Sequence, residues 1–323
     1  MTELLTFDKK ATWFYNALVR TAWMEKYRPT SVLWHKVWHR CNKMFHGTIR
    51  TKVHGYSVAL NFGNTYPIVA RRFHSWNKPI VELAYQCHQA KKAPISVVDI
   101  GAATGDTVLL LSRNCPQMIS NFYCVDGDPE FFKYLEHNIN GIAGTKLFQA
   151  LLSSSAGTEK ALVRTHTATA SAQGDDMVQS VTLDTLFADT NMDALDLLKI
   201  DVDGFDGKVL LGAQALLDKY QPAVIFEWHP ILCQETGNDW TSHFEALTKA
   251  GYQTFIWFTK YGDFSHFMQG YDQESVAMIA EFCLQSRTTP DWHYDVIALH
   301  DDYPVSPIDV AELGFAAARR SPY

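Results

Sequence analysis

The segment VVDIGAATGDT, residues 97–107, decides the architecture. An apolar strand runs into Asp99, a tight turn passes through Gly101 and Gly105, and a helix starts near Asp106–Thr107 and continues through Val108–Leu111. Glycines in such a turn let the backbone approach a ligand without a Cβ clash. The spacing is not G-x-G-x-x-G, so a pyrophosphate cradle is poorly supported. Carboxylates at Asp99 and Asp106 point the same way. They would repel a diphosphate, and they suit the ammonium of an amino-acid moiety and a nearby sulfonium.

Working outward, the chain alternates short apolar strands with helices. The strand candidates are Ser96–Ile100, Asn121–Val125, Lys146–Leu152, Leu197–Ile200, Ala223–Phe226, Thr254–Phe258 and Asp295–Ala298. This rhythm predicts an α/β domain over 93–303 with a mostly parallel, doubly wound sheet. Residues 157–190 interrupt it. They are rich in Thr, Ala and Ser, end in the strand-like Val178–Leu183, and read as an insertion carrying extra strands. Residues 1–92 read as an extension. Trp13, Phe14, Trp23, Tyr27, Trp34, Trp38 and Phe45 recur at helical spacings, and Pro29–Thr30 marks a break between two helices. A hairpin, Thr48–Val53 and Tyr56–Leu60 joined at His54–Gly55, comes next, and 64–92 reads as helix. The stretch 304–323 reads as a peripheral tail.

Three strand ends carry chemistry. The second strand ends in Asp126, followed by Gly127, Asp128 and Pro129. An acid there is placed to accept both ribose hydroxyls of an adenosine ligand. Asp128 suits a helix cap, with Pro129 in the first turn. In LDLLKIDVDGFDGKVLLGAQALL, residues 195–217, Asp201, Asp203 and Asp206 follow a buried strand, Gly204 makes the turn, and a helix Phe205–Leu217 packs its apolar face inward. Three carboxylates in six residues repel one another unless a positive group or a hydrogen-bond network sits among them. The next strand ends at Glu227, Trp228, His229 and Pro230. Open α/β sheets bind ligands at these carboxyl ends.

The composition is that of an ordinary globular protein, 47% hydrophobic and 20% charged, enough for one large domain with an extension. A net charge of −7 argues against nucleic acid as the main partner. The average hides an asymmetry: residues 1–52 hold ten basic against three acidic residues, a net +7, on an otherwise acidic chain. Either these residues form a helical cap, or they meet an anionic or lipid-linked acceptor. The six cysteines are scattered without zinc-like spacing and read as reduced thiols of a cytoplasmic protein. No signal peptide and no run approaching about 18 apolar residues is visible.

Together VVDIGAATGDT, VTLDTL (181–186), DLLKIDVDGFDGKVLLGA (196–213) and PAVIFE (222–227) resemble the FkbM family of S-adenosylmethionine (SAM)-dependent methyltransferases, in order and spacing, over roughly residues 45–300. The resemblance implies a Rossmann-like class I methyltransferase fold with seven strands, helices on both faces, and methyl transfer to a hydroxyl oxygen of a sugar, glycan or natural product. Two departures change side-chain reach more than the reaction: Thr104 stands where the family usually has Asn, and Asp203 where it usually has Glu.

The cofactor contacts expected are Asp99, Gly101, Ala102, Thr104, Gly105 and Thr107, then Asp126 and Gly127, Ser153 and Asp201. A weakly nucleophilic hydroxyl calls for a base. His229, oriented by Glu227, is the leading candidate, with a helix-capping or core histidine as the alternative reading. Asp203 is the second candidate for the base. Asp201, Asp203 and Glu227 are an alternative Mg²⁺ set, and Asp184 suits a helix cap. The rivals are an NAD-dependent oxidoreductase, a glycosyltransferase using Asp201–Asp203 as a metal-binding D-x-D, and a non-catalytic SAM-binding module.

Overall fold

The computed structural model describes residues 5–73, 75–166, 169–285 and 291–304. The chain opens with α1 (Lys9–Thr21) and α2 (Arg28–Met44). Strands β1 (Thr48–Val53) and β2 (Tyr56–Asn61) pair as the antiparallel hairpin that the sequence predicts. Helices α3 (Tyr66–Arg72) and α4 (Lys78–Lys91) follow. Strands β3 (Ile95–Ile100), β4 (Ile119–Asp126) and β5 (Thr145–Gln149) alternate with α5 (Asp106–Asn114) and α6 (Pro129–Asn138). Next come β6 (Leu151–Leu152), β7 (Gly157–His166) and β8 (Thr169–Val181), a separate small sheet in the order β6-β8-β7. Then come β9 (Leu197–Ile200), β10 (Ala223–Trp228), β11 (Tyr252–Thr259), β12 (Phe264–Gln269) and β13 (Tyr294–His300).

The main sheet has the order β12-β11-β13-β10-β9-β3-β4-β5. The block β10-β9-β3-β4-β5 is parallel. Strands β13, β11 and β12 are antiparallel additions. The α/β class stands, but the strand count is eight rather than seven. The extra strand is β12, an edge strand whose residues alternate between half-buried and exposed. It lacks the buried apolar run by which the inner strands announce themselves.

Alternate side chains of each inner strand enter opposite cores. Val97 and Leu197 face one, Val98 and Leu198 the other. Helices α1 and α2 and the hairpin complete the first core through Tyr15, Leu18, Trp34, Trp38, Ile49 and Leu60. The chain runs outward from β3 through β4 to β5, then returns to place β9 on the other side of β3. Strand order therefore reverses between β3 and β9, and the crevice opens at their carboxyl ends.

Four boundaries correct the sequence reading. Pro29 starts α2 rather than separating two helices, because proline is tolerated in a first turn; the break is the 3₁₀ turn Ala22–Lys26. Residues 64–92 form two helices, and α4 begins after Asn77, which is left-handed at φ 61°. Lys146–Leu152 divides between two sheets, β5 in the main one and β6 in the small one. Helix 205–217 is broken at Gly212, where a Cβ would lie 2.4 Å from the Ser153 carbonyl oxygen. The tail beyond Pro304 lies outside the described residues. All six cysteines are buried and none is in a disulfide. Among the described residues, no helix is long and apolar enough to cross a membrane.

Candidate active site

The glycine loop is held from both sides of β3. The Gly101 and Ala102 amides donate to the Val125 carbonyl at 3.0 and 3.1 Å. Gly101 is left-handed at φ 75°, and a Cβ there would lie 1.9 Å from the Asp201 carbonyl oxygen. Only glycine lets the loop pack this closely on the end of β9. Gly105, at φ 83°, caps α5 and lies against Ile139. Asp126 ties this loop to β4. Its Oδ2 accepts from the Ala103 amide at 2.7 Å, its Oδ1 from the Asp128 amide at 2.8 Å. Burial raises this carboxyl to about 6, although both amides favour its charged form. Each carboxylate oxygen keeps a further lone pair for a ligand. Asp128 caps α6 through the Glu130 and Phe131 amides, as its position before Pro129 predicts.

The positive group required among the acids is Lys199. Its strand pairs in register with β3, opposite Asp99. Its Nζ lies 3.1 Å from Asp99 Oδ1 and 3.4 Å from Asp201 Oδ2, and donates to the Gly101 carbonyl at 3.4 Å. Burial alone would push this ammonium down, but Asp99, Asp201 and Asp106 reverse that and raise it. Asp99 is fully buried, and desolvation raises it against the pull of Lys199. The signal is the single lysine inside the short strand LLKI, residues 197–200. Thr107 also stabilises the Asp99 carboxylate, while the Thr104 hydroxyl donates to Asp106.

Asp206 folds inward and accepts from the Val202 and Gly204 amides, both at 3.3 Å. Burial, then Asp201, pushes it to about 7. Asp203 is left-handed at φ 51°. Gly204 follows, where a Cβ would lie 2.7 Å from the Leu232 carbonyl carbon. Burial, Asp201 and Asp206 all raise Asp203.

Glu227 is on β10, cross-strand from Asp295. Its Oε1 lies 3.3 Å from His293 Nε2, and its Oε2 is buried with no hydrogen-bond partner. Burial, then Asp201, Asp203 and Asp206, raise it well above the usual carboxylate range. Burial, then His229 and Lys260, lower His293 to about 3. The pair is therefore a carboxyl group whose charged form is disfavoured, beside an imidazole whose charged form is disfavoured too.

The expected Glu227–His229 couple does not form. Strand β10 ends at Trp228, and His229 turns away as the cap of the next helix. Its Nδ1 accepts from the Leu232 amide at 3.3 Å, so Nε2 carries the proton and donates to Asp291 Oδ1 at 2.8 Å. Its ring stacks on His293 with centroids 4.6 Å apart. Burial would raise Asp291, but His229 and Lys260 hold it well below its usual value.

His229, Asp291 and His293 offer ligand atoms within 4.8 Å of one another. The His229 tautomer and the Lys260–Asp291 ion pair at 2.6 Å instead make this a hydrogen-bonded cluster. Asp201, Asp203 and Glu227 do not meet the same spacing.

A cavity of about 280 Å³ opens over the crevice. Gly101, Asp126, Gly127, Asp201, Asp203 and Glu227 all line it. Asp99, Ala102, Thr104, Gly105, Thr107, Ser153 and His229 are not among its lining residues. The Ser153 hydroxyl is taken by Glu159 at 2.6 Å. One end of the cavity is acidic; Val125, Phe131, Ala150 and Leu151 make an apolar shelf at the other.

The family model for the methyltransferase FkbM domain matches residues 60–254, more than half of the chain. The chain belongs to the FkbM methyltransferase family. No curated protein matches it. Among solved structures, it is similar to a methyltransferase FkbM from Methylobacillus flagellatus, at 13% identity and a TM-score of 0.38, covering 64% of this chain and 43% of that one. It is also similar to the METTL16 MTase domain, at 12% identity and a TM-score of 0.43 over 76% and 74% of the two chains. A third is an O-methyltransferase from Bacillus cereus in complex with SAH, at 10% identity and a TM-score of 0.39 over 69% and 80%.

Within the FkbM match, Asp184 of VTLDTL accepts from the Ala215 and Leu216 amides, both at 2.9 Å. It caps the helix Gln214–Tyr220 across space, while Thr182 caps its own. Asp291 and His293 lie beyond the FkbM match. They also lie outside the four motifs that carry the resemblance, and only the β10–β13 pairing brings them to Glu227.

Proposed function

We propose that this FkbM-family chain is a SAM-dependent O-methyltransferase acting on a hydroxyl of a sugar, glycan or natural product. The observation that carries the reading is one cavity lined by Gly101, Asp126, Asp201, Asp203 and Glu227. Its features match the parts of SAM. The acidic end suits the ammonium and the sulfonium. Asp126 is placed for the ribose hydroxyls, and the apolar shelf for adenine. When bound, SAM supplies an activated methyl group on a cationic sulfur. Asp201 and Asp203 then offset that charge. Lys199 pairs with Asp99 and Asp201 and fixes the loop through the Gly101 carbonyl. Glu227 is the group placed to act as base: its Oε2 faces no protein partner, and it takes the acceptor hydroxyl proton as the oxygen attacks. His293 orients Oε1. His229 acts through His293 as a positioning residue.

The direct experiment incubates the protein with methyl-labelled SAM and a panel of hydroxyl acceptors, and detects labelled product together with demethylated cofactor. Activity is expected to survive a chelator; loss of activity restored by Mg²⁺ would return the metal to the mechanism. The cofactor roles are tested separately. Asp126→Asn presents an amide to one of two backbone donors and weakens any bond to ribose. SAM affinity is expected to fall roughly tenfold to a hundredfold, the worth of one charged hydrogen bond. Unchanged affinity in the folded variant would remove Asp126 from the cofactor site.

A further inference from the structure

Helix α2 buries only one narrow seam, Trp34, Trp38 and Cys41, at the i, i+4, i+7 spacing of a single helical face. That seam is enough to hold the helix on the first core. The same helix carries a second stripe at i, i+4, i+7 and i+11: Leu33, Val37, Arg40 and Met44, all exposed. Leu33 is 56% exposed and Met44 61%. The turn leading into α2 exposes Trp23 at 63%, and Tyr27 beside it is also open. A helix needed only as a cap has no reason to keep a second apolar stripe in water.

Charge separates the candidate occupants. Helix α2 contains no acidic residue, and exposed Lys36, Arg40 and Lys43 lie on or beside the stripe. The +7 of residues 1–52 is opposed to the sign of the rest of the chain. Aliphatic side chains and open aromatics, flanked by lysine and arginine, match the interface of an anionic bilayer. There apolar groups enter the headgroup–acyl boundary, tryptophan and tyrosine sit at headgroup level, and basic groups meet phosphates.

We propose that α2 and the turn before it dock this protein on an anionic lipid surface. This goes beyond the methyl-transfer reading and does not depend on it. Docking would present the protein to acceptors held at a membrane.

The test is co-sedimentation of the full chain with vesicles of phosphatidylcholine alone and of phosphatidylcholine mixed with phosphatidylglycerol. Binding to the mixed vesicles is expected, weakening as salt rises, with little binding to phosphatidylcholine. Each basic residue near such a surface strengthens partitioning roughly fivefold. The triple variant Lys36→Glu, Arg40→Glu, Lys43→Glu is therefore expected to lose at least on the order of a hundredfold in partitioning. Leu33→Ser with Met44→Ser is expected to weaken binding even at low salt. Both variants change only exposed positions, and unaltered circular dichroism establishes that they are folded. Absence of binding to the mixed vesicles would overturn the proposal, as would equal binding by the charge-reversed variant. A concentration-dependent dimer in light scattering that these variants abolish would assign the face to a second copy of the chain, and would also overturn it.

Discussion

Replacing Glu227 with glutamine is expected to lower kcat by about 10²–10⁴-fold, the usual worth of a positioned base. Glutamine keeps the size of the side chain and its contact with His293, but it cannot take a proton. Burial, then the neighbouring carboxylates, raise Glu227, and His293 meets it on the other side. In the wild type the base form appears only as pH rises through its elevated pKa. The rate should therefore climb with pH, and the climb should vanish in Glu227→Gln. Measuring kcat across pH, with cofactor affinity determined separately, distinguishes a lost base from a lost binding contact. Undiminished turnover in Glu227→Gln would move the base to Asp203.

Replacing Lys199 with methionine is expected to cost about 3–5 kcal/mol of stability, because it leaves Asp99 as a buried charge without its partner. Asp99 is fully buried, and Lys199 Nζ at 3.1 Å is its counter-ion. Without that ammonium, burial drives the Asp99 carboxyl higher. A carboxyl raised above its unfolded value near 4 favours folding when protonated, so this variant should lose stability as pH climbs above that value. The double variant Asp99→Asn, Lys199→Met removes both charges and should recover most of the loss. Urea unfolding of the wild type and both variants at several pH values measures all three effects. Single and double variants of equal stability would show that Lys199 compensates Asp201 alone.

The part of the site legible from sequence is the part that local geometry dictates. Gly101 must be glycine because β9 crosses so close to it, and Asp126, Asp201 and Glu227 must lie together because parallel strands end on one edge. The illegible part depends on long-range register. His293 reaches Glu227 only because β13 runs antiparallel to β10. His229 looked like the base because it follows Glu227 by two residues, but the strand ends between them and the ring turns into a cap. Ser153 follows a strand end, yet Glu159 of the insertion occupies its hydroxyl. Gly212 breaks a helix for want of room against Ser153, which no helical periodicity reveals. Strand β12 is an edge, and edges carry half a strand's signal.

The central claim is that the crevice between β3 and β9 is a SAM site. Isothermal titration of the purified wild-type chain with SAM and with S-adenosylhomocysteine tests it most directly. Saturable binding of both at a single site, weakened for both by Asp126→Asn, is the predicted result. A folded wild-type chain that releases no binding heat with either compound across a range of temperatures would contradict it.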